Sequence, residues 1–220
     1  ALRALLERDV PLVVYSAGGW FYGWARGLGG TNVELRRVQF RAADDPARCL
    51  AIARALVCAK IVNQRTILRR NHPDRPPELQ RLAELCDQAR GAGSLGELLG
   101  IEGTAARCYF ARFPDLLKVP LGAFDFEGRS RRPPLDPTNA LLSFVYALLT
   151  KDWTITCALV GFDPYVGFFH QPRFGRPSLA LDLMEEFRPI IADSVVLGVV
   201  NGGVVGANDF VRRGLGVGLT

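Results

Sequence analysis

The chain has 220 residues, 49% of them hydrophobic and 22% charged, with 27 Lys and Arg against 22 Asp and Glu and a net charge of +5. A chain of this size and composition buries a substantial core, which excludes a peptide, a solvating tail and a low-complexity protein. Its longest apolar runs, 140–149 and 190–200, are interrupted and fall short of the roughly 20 residues that cross a bilayer, so no membrane partner and a cytoplasmic location are expected.

No signal peptide opens the chain, because residues 1–9 read as a charged amphipathic helix. The first residue is Ala and not Met, which suggests a piece of something longer. The five cysteines contain no Cys-x-x-Cys pair, and they read as reduced, buried thiols rather than disulfides or zinc ligands. Only three basic residues are lysines, the other 24 being arginines. Arginine suits bidentate phosphate contacts, and GC-rich coding produces the same bias.

The pattern predicts α+β architecture: an incomplete amino-terminal β domain over 1–43, then an all-α domain over 44–220. Residues 10–16 and 20–24 read as short strands divided by a Gly18-Gly19 turn. Residues 33–40 alternate apolar with polar side chains, as a strand with one wet face does. Asp44-Asp45-Pro46 then starts a helix to about Arg70, with Pro just inside its first turn, and the breaker-rich 71–77 ends it. On that helix Arg54, Arg65 and Arg69 lie within about 60° of one another. They form a basic stripe, which is either a DNA-facing surface or a solvated face.

A further helix is expected over 78–90. Ser94-Leu95-Gly96-Glu97 fits a capping box opening a short helix that leads to Ile101-Glu102-Gly103. Asp136-Pro137 caps and opens a very apolar helix over 135–150. Ser178 is placed to cap the helix that carries Asp182 and Glu185, and His72 reads as purely structural.

Three places offer metal-grade ligands: Glu102, beside small residues that permit close helix packing; His170, at the end of an aromatic segment; and Asp182 with Glu185, three residues apart on one helical face. Carboxylates with an imidazole suit Mn²⁺ or Mg²⁺, a Lewis acid for phosphoryl transfer. Each place also has an ordinary reading: a Glu102–Arg107 salt bridge, a packed histidine, a solvated acidic face.

Ile-Glu-Gly-Thr-Ala-Ala-Arg-Cys-Tyr-Phe at 101–110 resembles the Glu-Gly-x-x-Ala-Arg-x-Tyr-Phe motif of the CRISPR-associated integrase family, the metal-dependent subunit that inserts spacers during CRISPR adaptation. Four further blocks resemble that family in family order: Lys60-Ile-Val-Asn-Gln-Arg65; 131–144, from Arg131-Arg132-Pro133-Pro134 to Phe144; Gly161-Phe-Asp-Pro through His170; and Leu181-Asp-Leu-Met-Glu-Glu-Phe-Arg-Pro189. Residues 15–23 resemble the Gly-Gly-Trp-Phe-Tyr-Gly segment of members fused to a RecB-like nuclease.

The resemblance implies Glu102, His170 and Glu185 as metal ligands, with Asp182 a fourth catalytic residue, a nearby carboxylate that supports the site. It favours Glu185 over Glu186, which is expected nearer solvent or paired with Arg188 or Arg173. The amino-terminal β domain of that family builds a homodimer, and a small ferredoxin-fold adaptation subunit bridges pairs of dimers. The expected substrates are double-stranded DNA with single-stranded 3′ ends and CRISPR repeat DNA. A fused or associated RecB-like iron–sulphur nuclease is a further expected partner. Arg54, Arg65, Arg69, Arg107, Arg131, Arg132, Arg173 and Arg176 are the expected DNA contacts. The alternative is a protomer that holds DNA without reacting.

Overall fold

The computed structural model describes residues 1–17, 21–27, 32–119, 122 and 124–220. A short helix, α1 (Leu2–Glu7), precedes an antiparallel hairpin of β1 (Leu12–Tyr15) and β2 (Phe21–Ala25), with Leu12 opposite Ala25 and a register shift at Val14/Tyr15. The expected Gly18-Gly19 turn and Trp20 lie outside the described residues.

Residues 33–40 are not a strand. They lie in α2 (Val33–Ala43), capped by Asn32, whose Oδ1 accepts the Leu35 amide at 3.0 Å. The alternating apolar residues do not mark a buried face, since Val33, Val38 and Phe40 are exposed. A polar residue, Gln39, is the buried one. Its Nε2 donates to the Asp163 and Val166 carbonyls at 2.8 Å each, and its Oε1 accepts the Asp163 amide at 2.9 Å. This fixes α2 against the loop that leads to His170.

The helical part begins at α3 (Pro46–Asn71), where Asp45 accepts the Ala47 and Arg48 amides and Pro46 occupies the first turn. Ala53, Val57, Ile61 and Leu68 recur at helical spacing and are buried, so α3 presents one continuous stripe to the core. Against it pack α4 (Glu78–Gly91) and α5 (Leu95–Ala111). Leu82, Leu85, Ala89, Leu98 and Tyr109 supply the facing side chains.

Ser94 caps α5 by accepting the Glu97 amide at 3.2 Å, but the Glu97 carboxylate accepts from the Gly93 amide, one residue before the expected partner. The helix is not a short one: it carries Glu102 in the same rigid rod as Tyr109. Asp136 caps α6 (Pro137–Val160) through the Asn139 amide at 2.7 Å. Gly161, at φ 107°, ends that helix in the left-handed conformation that glycine takes without penalty.

The last helices are α7 (Ser178–Met184), a π-helical turn over Arg188–Asp193, and α8 (Ser194–Asn201). A hairpin of β3 (Phe210–Arg213) and β4 (Gly216–Leu219) closes the described chain, so the region from 44 onward is mostly helical but not all-α. Leu219 and Phe210 pack on the main core, which is what a two-stranded ribbon requires for stability. All five cysteines are free thiols, but only Cys49, Cys86 and Cys157 are buried, Cys58 and Cys108 being half-buried where all five were expected inside. Among the described residues no helix is long and apolar enough to cross a membrane.

Candidate active site

Four elements converge on one polar cluster. Helix α3 contributes Lys60, α5 contributes Glu102, the segment after α6 contributes His170, and the end of α7 contributes Asp182 and Glu185. Lys60 sits on the buried stripe of α3, its side chain 5% exposed. Its ammonium forms ion pairs with Glu102 Oε1 and with Glu185 Oε2, the latter at 2.6 Å. Glu102 therefore does not pair with Arg107, which is exposed and donates only a weak 3.4 Å hydrogen bond to Thr104.

Asp182 is buried and has a different task from chelation. Its Oδ2 accepts the Phe168 and Phe169 amides at 2.6 and 2.9 Å, and its Oδ1 accepts the His170 amide at 2.8 Å and the His170 Nδ1 proton at 2.7 Å. Four donors on one carboxylate leave it no capacity for a second role. Asp182 and Glu185 therefore do not point at one spot, although three-residue spacing allowed it. The consequence falls on His170: in the neutral imidazole Nδ1 donates to Asp182 and Nε2 carries the lone pair, 3.9 Å from Glu185 Oε1.

This close approach requires Gly167, where an added Cβ would meet Asp182 Oδ2 and the Ser178 backbone, each at 2.7 Å. Ser178 does not cap α7; its hydroxyl donates to the Gln171 carbonyl at 3.3 Å, which ties down the loop behind His170.

Glu185 is buried, 3% exposed in its side chain. Burial raises its pKa, but Arg188, Lys60 and His170 together outweigh burial and lower it to about 2. Arg188 Nη1 reaches Glu185 Oε1 at 3.2 Å, so Arg188 is not the partner of Glu186, which is half-buried. Glu185 Oε2 is buried and, despite its ionic contact with Lys60, receives no aligned hydrogen bond.

Two carboxylates and an imidazole are the donor set for a hard divalent ion, and the chemistry of that set fits such a group. Lys60 is the cation between the carboxylates here. Among the described residues no group of three or more His, Cys, Asp or Glu side chains closes around one point.

The predicted DNA contacts divide into two sets. Arg54 Nε donates to the Ala92 carbonyl at 2.8 Å and Arg65 Nε to the Leu79 carbonyl at 2.8 Å. These two hold α3 to the ends of α4, so the stripe is not a free basic face, and only Arg69 of the three is exposed. Arg107 and Arg131 border a cleft of about 440 Å³ that also contains Glu102 and Arg129. Arg132 and Arg173 are exposed, and Arg176 donates to the Gln171 carbonyl within the loop after His170. A larger cleft, about 730 Å³, lies by β3 and contains none of Lys60, Glu102, His170 and Glu185.

The residues that sequence reasoning missed as part of the site are Lys60, Arg188, Tyr109, Tyr146 and Asp193. Lys60 carried a signal, since it falls on the apolar stripe of α3 between Val57 and Ile61, where a lysine has no reason to be unless it is paired. Asp193 carried none, because its tyrosine partners come from two other helices.

The sequence matches the family described as CRISPR associated protein Cas1 over residues 1–220. The chain belongs to the Cas1 family. It is 50% identical to a Cas4/Cas1 fusion of Geobacter sulfurreducens, with all of this chain and 41% of the relative covered. It is 47% identical to a Cas4/Cas1 fusion of Rhodospirillum rubrum, with all of this chain and 39% of the relative covered. The chain thus spans about two fifths of the length of these relatives. Among solved structures it is similar over its whole length to a Cas1 protein of Thermotoga maritima, with TM-score 0.84, 27% identity and 69% of that chain covered. It is also similar to a casposase bound to its integration product, with TM-score 0.83, 27% identity and 62% of that chain covered. Membership in this CRISPR-associated family agrees with the motif resemblance.

Proposed function

We propose that this chain carries the reacting site of a metal-dependent DNA integrase that inserts captured fragments at the repeat edge of a CRISPR array. The observation that carries this reading is that Glu102 and Glu185, from separate elements, both meet the Lys60 ammonium, with His170, hydrogen-bonded to Asp182, 3.9 Å from Glu185 through Nε2. Mn²⁺ or Mg²⁺ would be held by Glu102, His170 and Glu185. When bound, it supplies Lewis-acid polarisation of a phosphodiester and stabilises charge on the attacking and leaving oxygens.

In strand transfer the 3′-hydroxyl oxygen of the fragment forms a new bond to phosphorus while the bond to the outgoing 3′-oxygen of the repeat strand breaks. This chain's residues do the rest. Asp182 holds the proton on His170 Nδ1 and so keeps Nε2 available. Arg107 and Arg131, on the cleft beside Glu102, bind backbone phosphates, and Arg132, Arg173 and Arg69 extend the contact. Arg188 keeps Glu185 ionised across the physiological range.

The reading includes a homodimer, a small ferredoxin-fold adaptation subunit bridging dimers, and a fused or associated RecB-like nuclease, within antiviral defence. Two findings support the partners: the Geobacter and Rhodospirillum relatives are described as Cas4/Cas1 fusions, and the chain is similar, with TM-score 0.83, to a chain of a solved Cas6-RT-Cas1–Cas2 complex. A second reading, a protomer that holds DNA without reacting, is favoured by one observation: Lys60 already neutralises both carboxylates.

The test is strand transfer of a DNA fragment with 3′ overhangs into repeat DNA, with Mn²⁺ and with EDTA. Product that forms with Mn²⁺ and vanishes with EDTA supports the first reading. DNA binding with no product under either condition supports the second.

A further inference from the structure

Asp193, 1% exposed, lies behind the polar cluster on the π-helical turn, with a tyrosine on each carboxylate oxygen. Tyr146 Oη donates to Oδ1 at 2.6 Å and Tyr109 Oη to Oδ2 at 2.9 Å. The ring of Tyr146 has a second set of neighbours. The Arg188 guanidinium carbon lies 5.2 Å from its centroid and that of Arg129 lies 5.4 Å away.

Two guanidiniums against one ring repel each other, and both have a buried Nε without a hydrogen-bond partner. A core that needed only volume here would be more stable with apolar residues. Their destinations explain the arrangement. Arg188 reaches Glu185 at 3.2 Å. Arg129, steadied by Asn139 Oδ1 at 2.7 Å and Ser143 Oγ at 3.1 Å, borders the cleft that contains Glu102.

We propose that Tyr146 is a positioning residue for the strand-transfer site, an inference that rests on the function proposed above. Its ring, pinned through its hydroxyl to Asp193, seats Arg188 against Glu185 and Arg129 beside Glu102. The electron-rich ring face and the Asp193 charge offset the repulsion between the two cations. Arg129, which was not among the expected DNA contacts, is thereby assigned to the phosphate next to Glu102, on the cleft it shares with Arg107 and Arg131.

The test compares Tyr146→Leu, which loses ring and hydroxyl, with Tyr146→Phe, which loses only the hydroxyl. Each is followed by crystal structure, single-turnover strand transfer at saturating DNA, and DNA affinity. In the Leu variant Arg188 should leave ion-pair distance of Glu185, and the rate should fall on the order of 30- to 100-fold, as misplacement of reacting groups does. DNA affinity should stay within about threefold, because it is distributed over many phosphate contacts. The Phe variant should keep both guanidiniums on the ring and lose about fivefold in rate, the worth of one hydrogen bond.

Guanidiniums that stay in place in the Leu variant would overturn the proposal, as would a DNA affinity that falls in step with the rate. If the Leu variant does not fold, a Phe variant with the wild-type rate overturns the pin to Asp193. A wild-type chain that transfers no strand sinks the proposed function instead, and the crystallographic comparison then decides this inference alone.

Discussion

Lys60 makes two ion pairs that a lysine on an exposed helix face would not make, and both of its partners are candidate ligands. Removing it leaves Glu102 and Glu185 facing each other in a largely desolvated site. Lys60→Ala should therefore lower unfolding free energy by about 3 kcal/mol, the usual cost of breaking a buried pair from one side. Urea denaturation checks it. Mn²⁺ should raise the midpoint of the variant more than that of the wild type, since the ion then meets two uncompensated carboxylates.

Asp193 makes the opposite kind of prediction. Burial raises its pKa from 3.8 to about 6, against the lowering effect of its two tyrosine hydrogen bonds, Arg188 and Lys60. A carboxyl that holds its proton more tightly folded than unfolded contributes stability that is complete below about pH 4 and is lost as pH rises through about 6. Between pH 4 and 7 the wild type should thus lose about 2 kcal/mol relative to Asp193→Asn, which does not titrate. Parallel unfolding curves for the two proteins across that range would contradict the assignment of a raised pKa.

At the scale of elements, the long helices were legible because their punctuation and their periodicity agree. Asp45-Pro46, Ser94 and Asp136-Pro137 all cap helices, and α3 was expected to run to Arg70 and ends at Asn71. Asp136→Ala should cost about 1–2 kcal/mol, the value of an N-cap, by thermal or urea unfolding. The 33–40 segment was misread because period-two alternation is a strand signal only when one face is buried. Here the burial falls on Gln39, whose partners are backbone groups more than 120 residues away.

The basic stripe on α3 shows a related limit of reading by helical angle. Helical angle locates a side chain on a face but not what stands opposite, and the Ala92 carbonyl just past α4 and the Leu79 carbonyl at its start accept from Arg54 and Arg65. Replacing those two by Gln should therefore lower stability with little change in the salt slope of DNA binding. Arg69→Gln should flatten that slope by about one counterion and leave stability nearly unchanged. Equal effects of all three on the slope would restore the stripe as a DNA face.

At the scale of the whole molecule, the family was legible from five motif blocks in one order, and the fold is similar to that of a Cas1 protein with TM-score 0.84. What the motifs left open was the division of labour within the site, because it depends on which side chains meet. Both Asp182 and Glu185 stand in the motif, yet Asp182 is saturated by four donors from 168–170 while Glu185 retains an oxygen without an aligned hydrogen bond.

The central claim is that Glu102, His170 and Glu185 form one metal-dependent reacting site, with the neighbouring Glu186 outside it. It is tested most directly by Mn²⁺ titration of strand transfer for Glu185→Gln and Glu186→Gln side by side, with Glu102→Ala and His170→Ala as references. Glu185→Gln should lose transfer at every Mn²⁺ concentration, as the two reference variants do, while all four bind DNA within about threefold of wild type and Glu186→Gln keeps most of its activity. A larger defect in the Glu186 variant, or normal transfer by Glu102→Ala or His170→Ala, would contradict the account.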